Sequence, residues 1–235
     1  MSHITPLLNA TPLLNYQHPE VQSLLATRGW PTLPMQQRIG AIYDFVRNEI
    51  AFGYNAADAL AASQVLADGH GQCNTKSILL MALLRGAGIP CRLHGFTIYK
   101  RLQRGAVTGL AYWLAPQHIL HSWVEVPLGE RWVNLEGFIL DAPYLHSVQR
   151  RFGNGAFCGY GVATEDLACP SVEWHGEDTY IQRTGISADL GVFTDPDSFY
   201  ARYPGNLSGW RAWLFQRVIR QQLNRTVAKV RAGHW

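Results

Sequence analysis

From Met35 to Ile50, apolar residues at 35, 39, 42, 46 and 50 recur at the helical period and predict an amphipathic helix, ended by Gly53 and Asn55. A short helical turn over 59–66 leads into the loop Asp68-Gly69-His70-Gly71, with two residues free to adopt positive φ. From Cys73 to Arg85 the pattern changes. Ile78 to Leu84 is an unbroken run of seven apolar residues, so this helix is apolar around most of its circumference and is predicted to be buried. Gly86, Gly88 and Pro90 supply its stop. Cys91–Tyr99, His121–Val126 and Arg131–Glu136 read as strands, the last two joined by Pro127-Leu128-Gly129-Glu130. Apolar positions 210, 214, 219, 223, 227 and 230 predict an amphipathic helix over Trp210–Val230. Residues 1–34, with the echo Thr5-Pro-Leu-Leu-Asn9 and Thr11-Pro-Leu-Leu-Asn15, read as an arm that packs its leucines on the body. Residues 143–208 carry Gly and Pro without a sustained period and predict no regular element. Helices followed by strands imply an α+β fold. We expect one domain over 1–235, with a core at 35–142 and an extension at 143–235 that ends in the terminal helix.

With 47% apolar and 16% charged residues in 235, the chain is not of the disordered class. Its longest apolar run falls far short of the ~20 residues a membrane-spanning helix needs. The leucines of the arm have no Lys or Arg ahead of them and no small-residue cleavage site, so a cytoplasmic protein is expected. The net charge of +3 is unevenly spread. Ser198–Trp235 holds seven basic residues and no acid, leaving 13 basic and 17 acidic residues in 1–197. Such a tail suits nucleic acid, anionic lipid or an acidic partner, but docking on the acidic remainder of its own chain is the expected use.

Cys73, Cys91, Cys158 and Cys169 are too sparse for a disulfide scaffold and contain no Cys-x-x-Cys pair. Cys73 differs from the rest by its position. It opens the buried helix, where free N–H groups and the helix dipole favour a thiolate, and Gly69 and Gly71 allow a substrate close to the backbone. Cys91 reads as a small buried hydrophobe. His70 reads as a solvated loop residue and His94 as a core or edge residue. Trp174–Asp178 and Asp195–Asp197 lack the ligand spacing of zinc or calcium sites, so no metal or cofactor is called for.

If the hairpin loop is centred between Leu128 and Gly129, His121 opposes Glu136 and Trp123 opposes Asn134 on one face. A shift of two residues would set His121 against Asn134 instead. An imidazole held by a carboxylate is what a thiol nucleophile needs: the ring takes the thiol proton, and the acid fixes its tautomer. Trp123 and Trp132 should flank the site from the face of His121.

Gly71-Gln72-Cys73 opening a helix that runs to Ile89-Pro90, His121-Ser-Trp-Val-Glu125 and Trp132-Val-Asn-Leu-Glu136 together resemble the three motifs of the transglutaminase-like superfamily, over about residues 60–142. The resemblance implies a papain-like fold, a central helix against an antiparallel sheet. It also implies Cys73 as nucleophile, His121 as general base and acid, and Glu136 as orienter. The family usually has Asp at that last place, so Asn134 and Asp141 stand as substitutes. For the oxyanion, the backbone N–H of Cys73 is one donor, and Gln72, Tyr54 and Asn55 are candidates for the second. The expected chemistry is a Cys acyl-thioester formed from an amide or ester of a peptide or small molecule, then resolved by water or an amine. Two alternatives stand beside it. One is a biosynthetic acyltransferase or cyclase acting on an acyl chain borne by an acidic carrier protein, which a basic helix suits. The other is a catalytically silent binding module.

Overall fold

A computed structural model describes residues 5–206 and 209–235. After a single 3₁₀ turn (Thr5–Leu8), the chain forms α1 (Pro19–Arg28), α2 (Met35–Asn48), β1 (Ala51–Phe52), α3 (Ala62–Asp68), β2 (His70–Gly71) and α4 (Cys73–Gly86). Then follow β3 (Arg92–Tyr99), α5 (Gly109–Leu114), β4 (His118–Leu128), β5 (Arg131–Leu135) and α6 (Ala142–Phe152). The remainder holds β6 (Phe157–Gly159), β7 (Val162–Thr164), β8 (Ile186–Phe193), α7 (Pro196–Arg202), α8 (Gly209–Leu214) and α9 (Arg220–Arg231), with a π-helical stretch at Phe215–Ile219 between the last two. The fold is α+β, as expected: β5-β4-β3-β8 form an antiparallel sheet, and α4 packs along β4.

Two regions depart from the expectation. The arm packs on the body, with Leu14 buried, the Leu13 N–H donating to Asp197 (3.2 Å) and Arg85 donating to the Asn9 carbonyl (2.7 Å). It also contains α1, which buries only Val21 and Leu25 and so shows little period. Its boundaries come from Pro19 at the first turn and Gly29 in the left-handed conformation at the end. Residues 143–206, for which no element was expected, supply most of α6, β6, β7, α7 and the edge strand β8. Residues 207 and 208 of that segment lie outside the described residues. Beside β8, Gly95 makes room for Phe199, whose ring would lie 2.4 Å from any added Cβ.

Every described side chain of α4 from Cys73 to Arg85 is buried, as its all-round apolar pattern requires. Lys76 is buried too. It donates to the carbonyls of Arg47 (3.2 Å) and Ile139 (3.0 Å), and burial holds its ammonium well below the usual lysine range.

The terminal helix docks on its own chain through the buried Leu223, Val227 and Val230, through Asn224, which bonds the N–H (2.7 Å) and carbonyl (3.0 Å) of Tyr54, and through Arg231. Arg231 donates to both oxygens of Asp141 (2.9 and 2.7 Å) and to the Phe52 carbonyl (2.7 Å). Asp141 also caps α6 at Tyr144 N and accepts from Phe52 N. Burial acts to raise its carboxyl, but Arg231 and these N–H groups outweigh that and hold it below the usual range. Its stabilisation is therefore present above about pH 4 and is lost as pH falls through the folded value. Asp141→Asn keeps the cap but removes the charge. It should cost about 3 kcal/mol, lowering Tm by roughly 6–12 °C at pH 7, and by less in acid. An equal loss at pH 3 and pH 7 in calorimetry would contradict this.

Candidate active site

The β4–β5 hairpin sets the geometry. Val124 pairs with Leu135, Glu125 with Asn134 and Leu128 with Arg131, so the turn is Gly129-Glu130, with Gly129 at φ 64. The expected register, His121 opposite Glu136, is off by two residues. Because side chains alternate with period two, the error leaves every residue on its expected face. β5 ends opposite Val124, and Glu136 follows at a bend that returns it to β4. Glu136 Oε1 lies 2.7 Å from His121 Nε2, and both side chains are fully buried. The pair is diagonal rather than directly opposed.

Glu136 is anchored beyond this bond. Its Oε2 accepts from the N–H groups of Ile181 (2.9 Å) and Gln182 (3.0 Å), and its own N–H donates to Thr179. A carboxylate only accepts, so Nε2 of His121 carries hydrogen in either charge state of the ring, and in the neutral ring Nδ1 holds the lone pair. Nδ1 is buried and has no hydrogen bond of good geometry. Cys73 acts on the ring by charge and at hydrogen-bonding reach. Burial disfavours the imidazolium, but Cys73 and Glu136 outweigh it and push the ring up to about 10.

The first turn of α4 is held on β4. Asn74 Nδ2 donates to the Leu120 carbonyl (3.0 Å), Ser122 Oγ to Asn74 Oδ1 (3.0 Å), and Ser77 Oγ to the Ser122 carbonyl (3.1 Å). These bonds bracket His121 and fix the helix start that carries Cys73. Cys73 is 6% exposed, with access to a cavity of about 240 Å³.

The two substitutes for Glu136 are engaged elsewhere. Asn134 bonds Asp178 and Tyr180, and Asp141 holds Arg231. Of the oxyanion candidates, Asn55 gives its N–H to Gln72 Oε1 (2.9 Å) and its amide to Asp68 and His70. Gln72 is tied into that bond and the capping of α4. Tyr54 remains: its hydroxyl donates to Gln103 Oε1 (2.6 Å), it lines the cavity with Cys73, and burial together with Cys73 pushes its phenol upward.

Gly71 does not open the backbone to a substrate. A Cβ there would meet Thr75 at 2.7 Å and Lys76 at 2.9 Å, so it serves packing, while Gly69 takes the left-handed conformation that ends α3. His70 is half-buried in β2 rather than solvated, with Nδ1 2.8 Å from the Asp68 carbonyl. Trp123 flanks His121 edge-on at 6.4 Å, whereas Trp132 stacks on Arg92 at the other end of the hairpin. His94 bridges Glu125 (2.6 Å) and Asp189 (2.9 Å), and its ring is raised despite burial. Burial pushes Cys91 up to about 11. Among the described residues no three His, Cys, Asp or Glu side chains are grouped to hold a metal ion, and no helix is long and apolar enough to cross a membrane. The groups that hold Glu136 and Asn74 carry no motif in the sequence, and the 179–182 segment gives no periodic signal.

Residues 25–137, just under half of the chain, match the sequence model of the transglutaminase-like superfamily. No curated protein matches the chain. Among solved structures it is similar to a candidate cysteine protease from Cytophaga hutchinsonii, at 14% identity and a TM-score of 0.48, over 84% of this chain and 49% of that one. A candidate protease from Parabacteroides distasonis gives 16% identity and a TM-score of 0.36, over 55% of this chain and 25% of the other. Red sea bream transglutaminase gives 16% and 0.30, over 56% and 25%. The chain thus spans about half the length of the first of these and a quarter of the others.

Proposed function

Since residues 25–137 carry a transglutaminase-like core, we propose that the protein is a thiol enzyme that forms an acyl-thioester on Cys73 from an amide or ester. The observation that carries this reading is the orientation of His121, with Nε2 bonded to a buried, doubly anchored carboxylate and Nδ1 left for the sulfur. Nδ1 takes the thiol proton, Sγ attacks the carbonyl carbon, and the C–O electron pair moves onto oxygen. The backbone N–H of Cys73 and the Tyr54 hydroxyl, its one hydrogen turned from Gln103 Oε1 to the substrate, are the donors we assign to that oxyanion. When the tetrahedral intermediate collapses, the C–N or C–O bond breaks and the leaving amine or alcohol departs with the proton from Nδ1. Water or an amine then attacks the thioester, again losing a proton to His121, and Sγ leaves. Asn74 and Ser77 act as positioning residues for the helix that carries the sulfur.

The test is mass spectrometry of the intact and digested protein after exposure to a panel of activated acyl esters. The expected result is a single acyl adduct, on the peptide containing Cys73, with Cys91, Cys158 and Cys169 unmodified and no adduct on Cys73→Ala. Equal labelling of Cys73 and the exposed Cys158 and Cys169 would return the protein to the silent binding module.

A further inference from the structure

The sulfur opens onto a cavity most of whose lining the reaction itself does not require. Resting on the thiol-enzyme reading, we propose that this cavity takes an uncharged, apolar acyl group, a medium-length alkanoyl or phenylalkanoyl chain with its carbonyl at Cys73. Its volume is about 240 Å³, and the walls are Val107, Pro116, Leu120, Phe215, Ile219 and Leu223. An aliphatic cavity of ~150 Å³ already takes benzene, so this one has room for more than a small acetyl-like group.

Charge argues the same way. Among the described lining residues there is no Lys or Arg, and Asp58 is the one carboxylate. That carboxylate is already occupied. Asp58 Oδ2 accepts from the backbone (3.2 Å) and side-chain (2.8 Å) N–H groups of Asn206, and Oδ1 from Gln72 (3.4 Å) and Asn74 (3.3 Å). A substrate carboxylate or phosphate would lose water here and find no counter-ion among the described lining residues. An ammonium would meet a carboxylate whose lone pairs are taken. Cys73 lies in the lining with its chain neighbours Gln72 and Asn74, so an acyl group with its carbonyl at the sulfur sends its chain along the apolar walls, Phe215 and Leu223 among them. Phe215 and Ile219 come from the π-helical stretch, a local widening of the helix of the kind that recurs at functional sites.

The experiment compares single-turnover acylation of Cys73 by 4-nitrophenyl acetate and 4-nitrophenyl octanoate, and separately measures octanamide binding to Cys73→Ala by calorimetry. Octanoyl should acylate faster than acetyl by about tenfold or more, and Ala111→Phe, which intrudes on the cavity, should bring that ratio toward one. Octanamide should bind the Cys73→Ala protein. Equal rates for the two esters would overturn the apolar-acyl proposal and leave the thiol reading standing. Octanamide binding with no acylation by either ester would overturn the thiol reading and leave the cavity assignment. Neither binding nor acylation would overturn both.

Discussion

Glu136→Gln should slow acylation of Cys73 about a thousandfold or more while leaving a folded protein. The reason is the tautomer. Ile181 and Gln182 present two N–H donors to Oε2, so the amide that replaces the carboxylate must turn its oxygen toward them. Its NH₂ then faces His121 Nε2, which can meet a donor only as an acceptor. The imidazole hydrogen moves to Nδ1, and the lone pair that should take the thiol proton is gone. Single-turnover rates with an activated ester measure the loss, and the ¹⁵N shifts of the His121 ring report the exchanged tautomer. A wild-type rate would remove Glu136 from the reaction.

His121→Gln should lower the same rate by about 10⁴-fold, and it should also change how stability depends on pH. The folded imidazole sits at about 10, against 6.5 when unfolded. Its stabilisation is therefore complete below about pH 6.5 and is lost progressively as pH rises toward 10, because over that range only the folded state keeps the proton. Glutamine retains a donor for Glu136, so the carboxylate is not stranded as it would be in an alanine variant, where about 3–5 kcal/mol could be lost. Thermal unfolding from pH 6.5 to 10 should then show a shallower fall in Tm for His121→Gln than for the wild type. Parallel curves would mean that another group carries the alkaline dependence.

What the sequence shows and what it hides divide along a physical line. The all-round apolar stretch Ile78–Leu84 announces a buried helix, and the alternation around His121 and Glu136 announces which side of a hairpin each occupies. Both signals are local, and both survive in the structure. Register is not local in the same way. It depends on where the turn falls, and placing it at Gly129-Glu130 instead of one residue earlier moved every pairing by two. The face was preserved because two is the period of a strand, and His121 meets Glu136 only because β5 stops early. Long-range hydrogen bonds leave no trace at all. Nothing about Thr179-Tyr180-Ile181-Gln182 suggests that its backbone holds a carboxylate, and nothing about Asn74 or Ser77 distinguishes a clamp on β4 from ordinary helix residues. β8 leaves no sequence signal for a related reason. Its eight residues, Ile186–Phe193, are mostly half-buried or exposed at the edge of a sheet, so neither an apolar run nor clean alternation develops.

Glu136 waits for N–H groups 45 and 46 residues further along, and the cavity wall at Phe215–Leu223 comes later still. The chain is made from its N-terminus, so a nascent chain reaching only the hairpin holds the sulfur and the imidazole in its sequence but not the groups that anchor the acid. Under the thiol-enzyme reading, a half-synthesised molecule therefore lacks the N–H groups that hold its carboxylate against the imidazole.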